Sequence, residues 1–247
     1  MKPIDAILFQ DACCHIIHQS RERNKIGTLG EKTVHAVLKK YLEPNETFHE
    51  IKIENYYADI ATSAGIIEIQ TRNFNNLRKK LEVFLELGPV TIAYPIPAVK
   101  WLLWIDEETG EISQKRKSPQ QGTIYTVLPE LYAIKNYLLH PNLKIHLLLI
   151  NVEESRLLNG WSKDRKKGST RYDRIPTALV DEFYINSLHD YRLMVPPSLT
   201  EEFTAKEFQK ASRLSPKKSS FALQVLRHVG AIEQSGLQGR AYVYKRA

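Results

Sequence analysis

Residues 57–70 constrain the fold more than any other stretch, because they encode two strands and a tight reversal in Tyr-Ala-Asp-Ile-Ala-Thr-Ser-Ala-Gly-Ile-Ile-Glu-Ile-Gln. The run Ile66, Ile67, Glu68, Ile69 is largely β-branched, follows Gly65 and predicts a short buried strand. Successive side chains point to opposite faces, so Glu68 and Gln70 share one face while Ile67 and Ile69 fill the other. Asp59 falls on a preceding short strand, with Ser63, Ala64 and Gly65 as the turn between them. Antiparallel pairing then brings Asp59 beside Glu68. Two adjacent carboxylates repel, and a cation relieves that repulsion; hard oxygen ligands suit Mg²⁺. The alternation Glu68, Gln70, Arg72 is also what a solvated antiparallel face displays.

The flanking pattern adds an order of elements. Residues 26–42 have helical spacing, with Leu29, Val34, Val37, Leu38 and Leu42 on one stripe and Glu31 near the start. A strand follows at 48–53, then the two acid-bearing strands. Residues 73–87 predict a second helix with Phe74, Leu77, Leu81, Phe84 and Leu85 inward. Residues 90–94 predict a strand halted by Pro95 and Pro97.

Helix, three strands, helix, strand, with acids at these places, resembles the core of the PD-(D/E)XK nuclease superfamily over residues 26–94. The resemblance implies an α/β fold, restriction-endonuclease-like, with a mixed central sheet flanked by helices. It places Asp59 and Glu68 as the motif acids, Glu31 as the acid of the first helix, and Gln70 where most members carry lysine. Ala58 stands where the motif has proline. The implied chemistry is Mg²⁺-assisted phosphodiester hydrolysis, with Mn²⁺ as a substitute ion. Asp59, Glu68 and the backbone carbonyl of Ile69 would hold the metal. Gln70 would orient the attacking water without adding charge, and Arg72, if its strand continues, would steady charge on the phosphate.

The middle of the chain carries strands at 101–105 and 144–152, a hairpin turn at Glu108, Thr109 and Gly110, and helical spacing over 128–139. Lys115, Arg116 and Lys117 follow the hairpin turn. Basic residues then concentrate between Arg156 and Arg174, where Lys163, Arg165, Lys166, Lys167 and Arg171 meet only Asp164 and Asp173. Gly160 and Gly168 mark this stretch as a loop. Trp161 and Tyr172 flank it and can stack on bases or pack the loop down. A loop touching phosphates and a loop solvated by its own charge both fit.

Residues 200–247 predict a separate module. Thr204 and Glu207 form a capping box that opens a helix to about residue 212. Ser215 and Pro216 open a second helix, with Phe221, Ala222, Val225, Leu226 and Val229 buried and Gly230 at its end. Strands at 232–234 and 241–244 complete a pattern that resembles a winged helix-turn-helix. That resemblance implies DNA contact through Lys217, Lys218, Ser219 and Arg227 on the second helix and Arg240, Lys245 and Arg246 on the hairpin, although such domains also dock proteins. This tail holds nine basic against four acidic side chains, an excess of five within a chain of net charge +7. Phosphate neutralisation is the usual reason for such an excess.

These readings divide the chain into a nuclease-like domain, 1–175, and a linker with the winged helix, 176–247, with a helix expected over 177–187. Hydrophobic content of 43% supports a packed core. No run has the length of a membrane span, the start lacks a signal-peptide profile, and Cys13 and Cys14 read as buried thiols of a helical segment in a reducing cytoplasm. Zinc bound by these cysteines with His15 and His18 is the alternative. The expected function is a cytoplasmic, Mg²⁺-dependent DNA endonuclease. A homodimer is the expectation that accompanies cutting two strands. Glutamine at position 70 favours a competing expectation, a DNA-binding regulator on a degenerate nuclease core. A defence component that needs a protein partner is a third.

Overall fold

A computed structural model describes residues 5–23, 33–160 and 168–247. Glu31, the Leu29 end of the first expected helix, and Lys163, Arg165, Lys166 and Lys167 of the basic loop lie outside the described residues. The fold is α/β, with a mixed central sheet and flanking helices.

The elements in chain order are α1 (Ala6–Arg23), α2 (Thr33–Leu42), β1 (His49–Ile53), β2 (Tyr56–Thr62), β3 (Gly65–Ile69), α3 (Arg78–Leu87), β4 (Val90–Asp106) and β5 (Arg116–Lys117). There follow α4 (Leu128–Leu131), β6 (Leu143–Leu158), β7 (Thr170–Ile185), α5 (Leu188–Leu193), β8 (Glu202–Thr204), α6 (Ala205–Ser212), α7 (Pro216–His228), β9 (Ile232–Gln238) and β10 (Ala241–Arg246). The larger sheet is seven-stranded in the order β1-β2-β3-β4-β6-β7, with β5 on β4; the smaller has the order β8-β10-β9. By internal contacts the chain forms two units. One holds the described residues of Met1–His49, Pro97–Gly122 and Leu148–Glu182, the other Glu50–Ile96, Thr123–Leu147 and Phe183–Ala247.

In the first unit, Val34, Val37, Leu38 and Tyr41 form the buried stripe of α2, and Tyr41 meets Phe9 of α1 edge-on at 5.3 Å. Cys13 is buried as expected, but Cys14 is exposed, about 100° further around the helix. The Cys13 Sγ donates to the Pro176 carbonyl at 3.5 Å, and burial pushes its thiol up to about 12. The expected hairpin turn closes where Asp106 N donates to Glu111 O and Gly110 N to Asp106 O, each at 2.9 Å.

In the second unit, β2 and β3 pair antiparallel with Ile60 opposite Ile67, and β3 pairs parallel with β4, Ile69 opposite Ala93. Gly65, at φ 130°, is required here: a Cβ would sit 2.5 Å from the Pro89 carbonyl oxygen, which accepts from Ile66 N. The second expected helix begins as a 3-10 turn, Phe74–Leu77, before α3, and Phe74, Leu77, Leu81, Phe84 and Leu85 are all buried.

Four expectations are corrected. Strand β4 runs through Pro95 and Pro97 rather than stopping. Gln70 N bonds Ala93 O, and the two-residue period puts the nitrogens of both prolines on that same side, past the end of β3 at Ile69. No β3 hydrogen bond is forfeited there. The helix expected over 177–187, and with it the linker from 176, is strand β7 as far as Ile185. Buried Leu179, Glu182 and Ile185 stand three apart and imitate a helical stripe, while Thr177, Val180, Phe183 and Tyr184 favour extended backbone. Arg156 and Arg174 also lie on strands, β6 and β7, not in a loop. Finally, 128–139 is one turn of α-helix followed by a 3-10 stretch kinked at Ile134.

The C-terminal segment of the second unit is two helices and a three-stranded antiparallel sheet. Thr204 Oγ1 accepts from Glu207 N at 3.4 Å, and Glu207 Oε2 accepts from Thr204 N at 2.7 Å. Thr204→Ala is expected to cost about 1 kcal/mol. A denaturant midpoint identical to wild type would refute that contribution.

Candidate functional site

The antiparallel register of β2 and β3 continues one step past Ile60 and Ile67 to set Asp59 beside Glu68. Each residue then bonds the other's strand. Asp59 N donates to Glu68 Oε1 at 3.3 Å, and Ile69 N donates to Asp59 Oδ2 at 2.7 Å. Asp59 is half-buried and Glu68 only 2% exposed. A third charged group joins them, one that sequence reasoning missed. Lys80 of α3 places Nζ 2.8 Å from Glu68 Oε2 and 2.6 Å from the Tyr57 carbonyl. The available signal was its place at the border of the buried stripe, three residues after Leu77 and four before Phe84.

Gln70 has a different task from the expected one. Its amide donates to the carbonyls of Arg72 and, at 3.1 Å, Asn73. These bonds fold the chain off β3 into the next helix, with Asn73 left-handed at φ 55°. Strand β3 therefore ends at Ile69, and Arg72 sits on an exposed bend rather than on the Glu68 face. The Ile69 amide secures Asp59, within a strand paired to Ala93.

Burial raises the Glu68 carboxyl to about 7 and the Asp59 charge adds to this, while Lys80 pulls it down. The folded protein thus holds this proton more tightly than the unfolded chain, whose ordinary value is 4.5. Stability is expected to fall as pH rises from about 4.5 to 7, by on the order of 3 kcal/mol. Unfolding measured across that range should show the decline in wild type and a flatter profile in Glu68→Gln; matching slopes would count against the assignment.

Among the described residues no group of three His, Cys, Asp or Glu side chains converges. Asp59 and Glu68 are a two-carboxylate set of hard oxygens, which fits Mg²⁺, an ion often held by one or two carboxylates with water and phosphate completing its shell.

Of the residues expected to touch nucleic acid, Arg171 is exposed on β7, Lys217 and Lys218 are exposed on the first turn of α7, Arg227 is exposed on its last turn, and Arg240 is exposed between β9 and β10. Ser219, expected on the same face, is buried at 3% exposure. Lys245 pairs with Glu233 at 2.8 Å, and Arg246 donates to the carbonyls of Val195, Pro196 and Leu199, so neither is presented as expected. A concavity of about 360 Å³ lies between α6, α7 and β10, where Lys206, Gln209, Gln224 and Arg227 meet Tyr242 with no acidic side chain in its wall. Lys115 is tied to Glu153. Among the described residues no helix is long and apolar enough to cross a membrane.

No solved structure matches this chain. An uncharacterized protein of Treponema pallidum (strain Nichols) is 25% identical to it over 230 residues, 90% of this chain and 87% of its own. Residues 32–186 match the family described as Domain of unknown function (DUF8091), a span that holds Asp59, Glu68 and Lys80. The chain belongs to the DUF8091 family.

Proposed function

We propose that this protein is a Mg²⁺-dependent DNA endonuclease, with a PD-(D/E)XK-like core carrying the site and a C-terminal winged helix gripping DNA. The observation that carries the reading is Lys80 Nζ at 2.8 Å from Glu68 Oε2, on a carboxylate that is itself bonded to Asp59. Acid, acid and ammonium meet on three adjacent elements, and the lysine absent at position 70 arrives from the helix. Asp59 and Glu68 offer oxygens to a divalent ion. Bound there, Mg²⁺ supplies Lewis-acid polarisation of the phosphate and a more acidic attacking water. The Lys80 ammonium donates to a phosphate oxygen or to that water and stabilises developing negative charge. The acid-free concavity around Arg227 and Lys206 supports phosphate contact by the C-terminal helices.

A second reading, a DNA-binding regulator on a degenerate core, is favoured by one specific observation. Lys80 already forms an ion pair with Glu68, so one of the two carboxylates is compensated without metal. Plasmid, linear and branched DNA incubated with the protein and Mg²⁺ or Mn²⁺ separates the two. Cleavage lost in both Asp59→Ala and Glu68→Ala is the expected result. Tight, salt-dependent DNA binding with no cleavage under either metal would replace the first reading by the second.

A further inference from the structure

The first unit contains a charge imbalance that the proposed cleavage site does not use. Glu154, fully buried on β6, accepts from Arg156 Nε at 2.8 Å and Nη2 at 2.6 Å on Oε1. Its Oε2 accepts from Arg174 Nε of β7 at 2.7 Å. Lys100 of β4 stands 3.9 Å from the same Oε2, too far for a hydrogen bond, with its side chain only 15% exposed. One carboxylate therefore faces three cations. A cross-strand lattice that served only to join β4, β6 and β7 would balance its charges, since an unpaired buried ammonium is costly. Here Lys100 is left without a hydrogen-bond acceptor among the described residues, and the Nη groups of Arg174 are not spent on Glu154. Burial pushes the Lys100 ammonium below its usual value; Glu154 opposes that, while Arg174, Arg156 and Arg171 add to it.

We propose that Lys100, Arg156 and Arg174, arrayed around Glu154, form a phosphate-binding site in which Glu154 fixes the guanidinium groups and the incoming phosphate accepts from the Lys100 ammonium. Guanidinium forks match phosphate geometry, and a dianion would cancel the two surplus charges. Glu154 sets the donors in place before the anion arrives. The phosphate belongs either to a nucleic-acid strand or to a soluble phosphorylated molecule, the chemistry being the same.

The test is thermal unfolding of the full chain in pyrophosphate against sodium chloride of equal ionic strength, without divalent metal. Wild type is expected to gain stability specifically with pyrophosphate. Lys100→Met, which removes a repelled charge and should fold, is expected to bind pyrophosphate about tenfold more weakly, the loss of one charge-assisted hydrogen bond. Lys100→Arg should restore most of the binding. An equal pyrophosphate effect in wild type and Lys100→Met, or none in wild type, would overturn the proposal. Anisotropy of a labelled single strand then identifies the source. Displacement of the strand by pyrophosphate assigns the phosphate to nucleic acid. A pyrophosphate effect without displacement assigns it to a soluble ligand. Neither readout involves cleavage or Asp59 and Glu68, so this site and the proposed nuclease activity stand or fall separately.

Discussion

Lys80→Met is expected to slow metal-dependent DNA cleavage by about 10²–10³-fold, the usual effect of removing one preorganised donor from a developing charge. Gln70→Ala is expected to leave the rate near wild type, because the Gln70 amide is engaged by the carbonyls of Arg72 and Asn73 and not by the acid pair. The contrast separates the two positions at which a motif lysine would act. A change in pH dependence should accompany the loss in rate. Lys80 lowers the Glu68 carboxyl against the upward push of burial and Asp59, so its removal drives that group higher still. Ionised Glu68 then becomes scarcer near neutrality, and the acid limb of the pH–rate profile moves to higher pH. A lysine that merely packed α3 against the sheet would lower activity without moving that limb. Reversed effects, with Gln70→Ala severe and Lys80→Met mild, would return the role to the strand position.

Glu154→Gln is expected to destabilise the fold by about 3–5 kcal/mol at neutral pH, the cost of removing a fully buried counter-charge from three partly buried cations. For a chain of this length that corresponds to a fall in the midpoint of thermal unfolding on the order of 10 °C. Burial alone would raise the Glu154 carboxyl, but Arg174, Lys100 and Arg156 together hold it below its ordinary value of 4.5. Its contribution is therefore fully present above about 4.5 and is lost as pH falls through the lower folded value. Differential scanning calorimetry from neutral to acid pH should show the two proteins converging in acid. Pyrophosphate should recover part of the variant's loss at neutral pH, where chloride at the same ionic strength does not. A variant as stable as wild type at neutral pH would mean that the three cations are relaxed by water, not by Glu154.

The acid pair was legible in the sequence because everything that sets it is local. Gly65 permits the reversal, the two-residue period fixes which side chains share a face, and the hairpin register carries Asp59 to Glu68. The buried stripe of α3 was legible for the same reason, as were the capping box at Thr204 and the proline start of α7. Lys80 was not, since its contact depends on how a helix lies against a strand twelve residues away. The cations around Glu154 converge from three strands, and no window of sequence contains them together. Strand β7 was misread because burial at Leu179, Glu182 and Ile185 imposes a spacing of three on an extended chain that has Pro176 within it. As the last strand in the order of the sheet, β7 tolerates a missing donor that a central strand would not. Gln70 misled in another way: alternation places it beside Glu68, but β3 ends at Ile69 and its amide closes a bend.

The prolines of β4 have a consequence for the protein's solubility. Where β3 ends, a strand of ordinary residues would leave a row of bare amide donors on one side, a template onto which a second molecule could add a strand. Pro95 and Pro97 remove two consecutive donors from that side, and the Pro97 carbonyl is taken by Gly122 N at 2.9 Å. Over this buried stretch the β3 side of the strand therefore lacks the donors that an added strand would need.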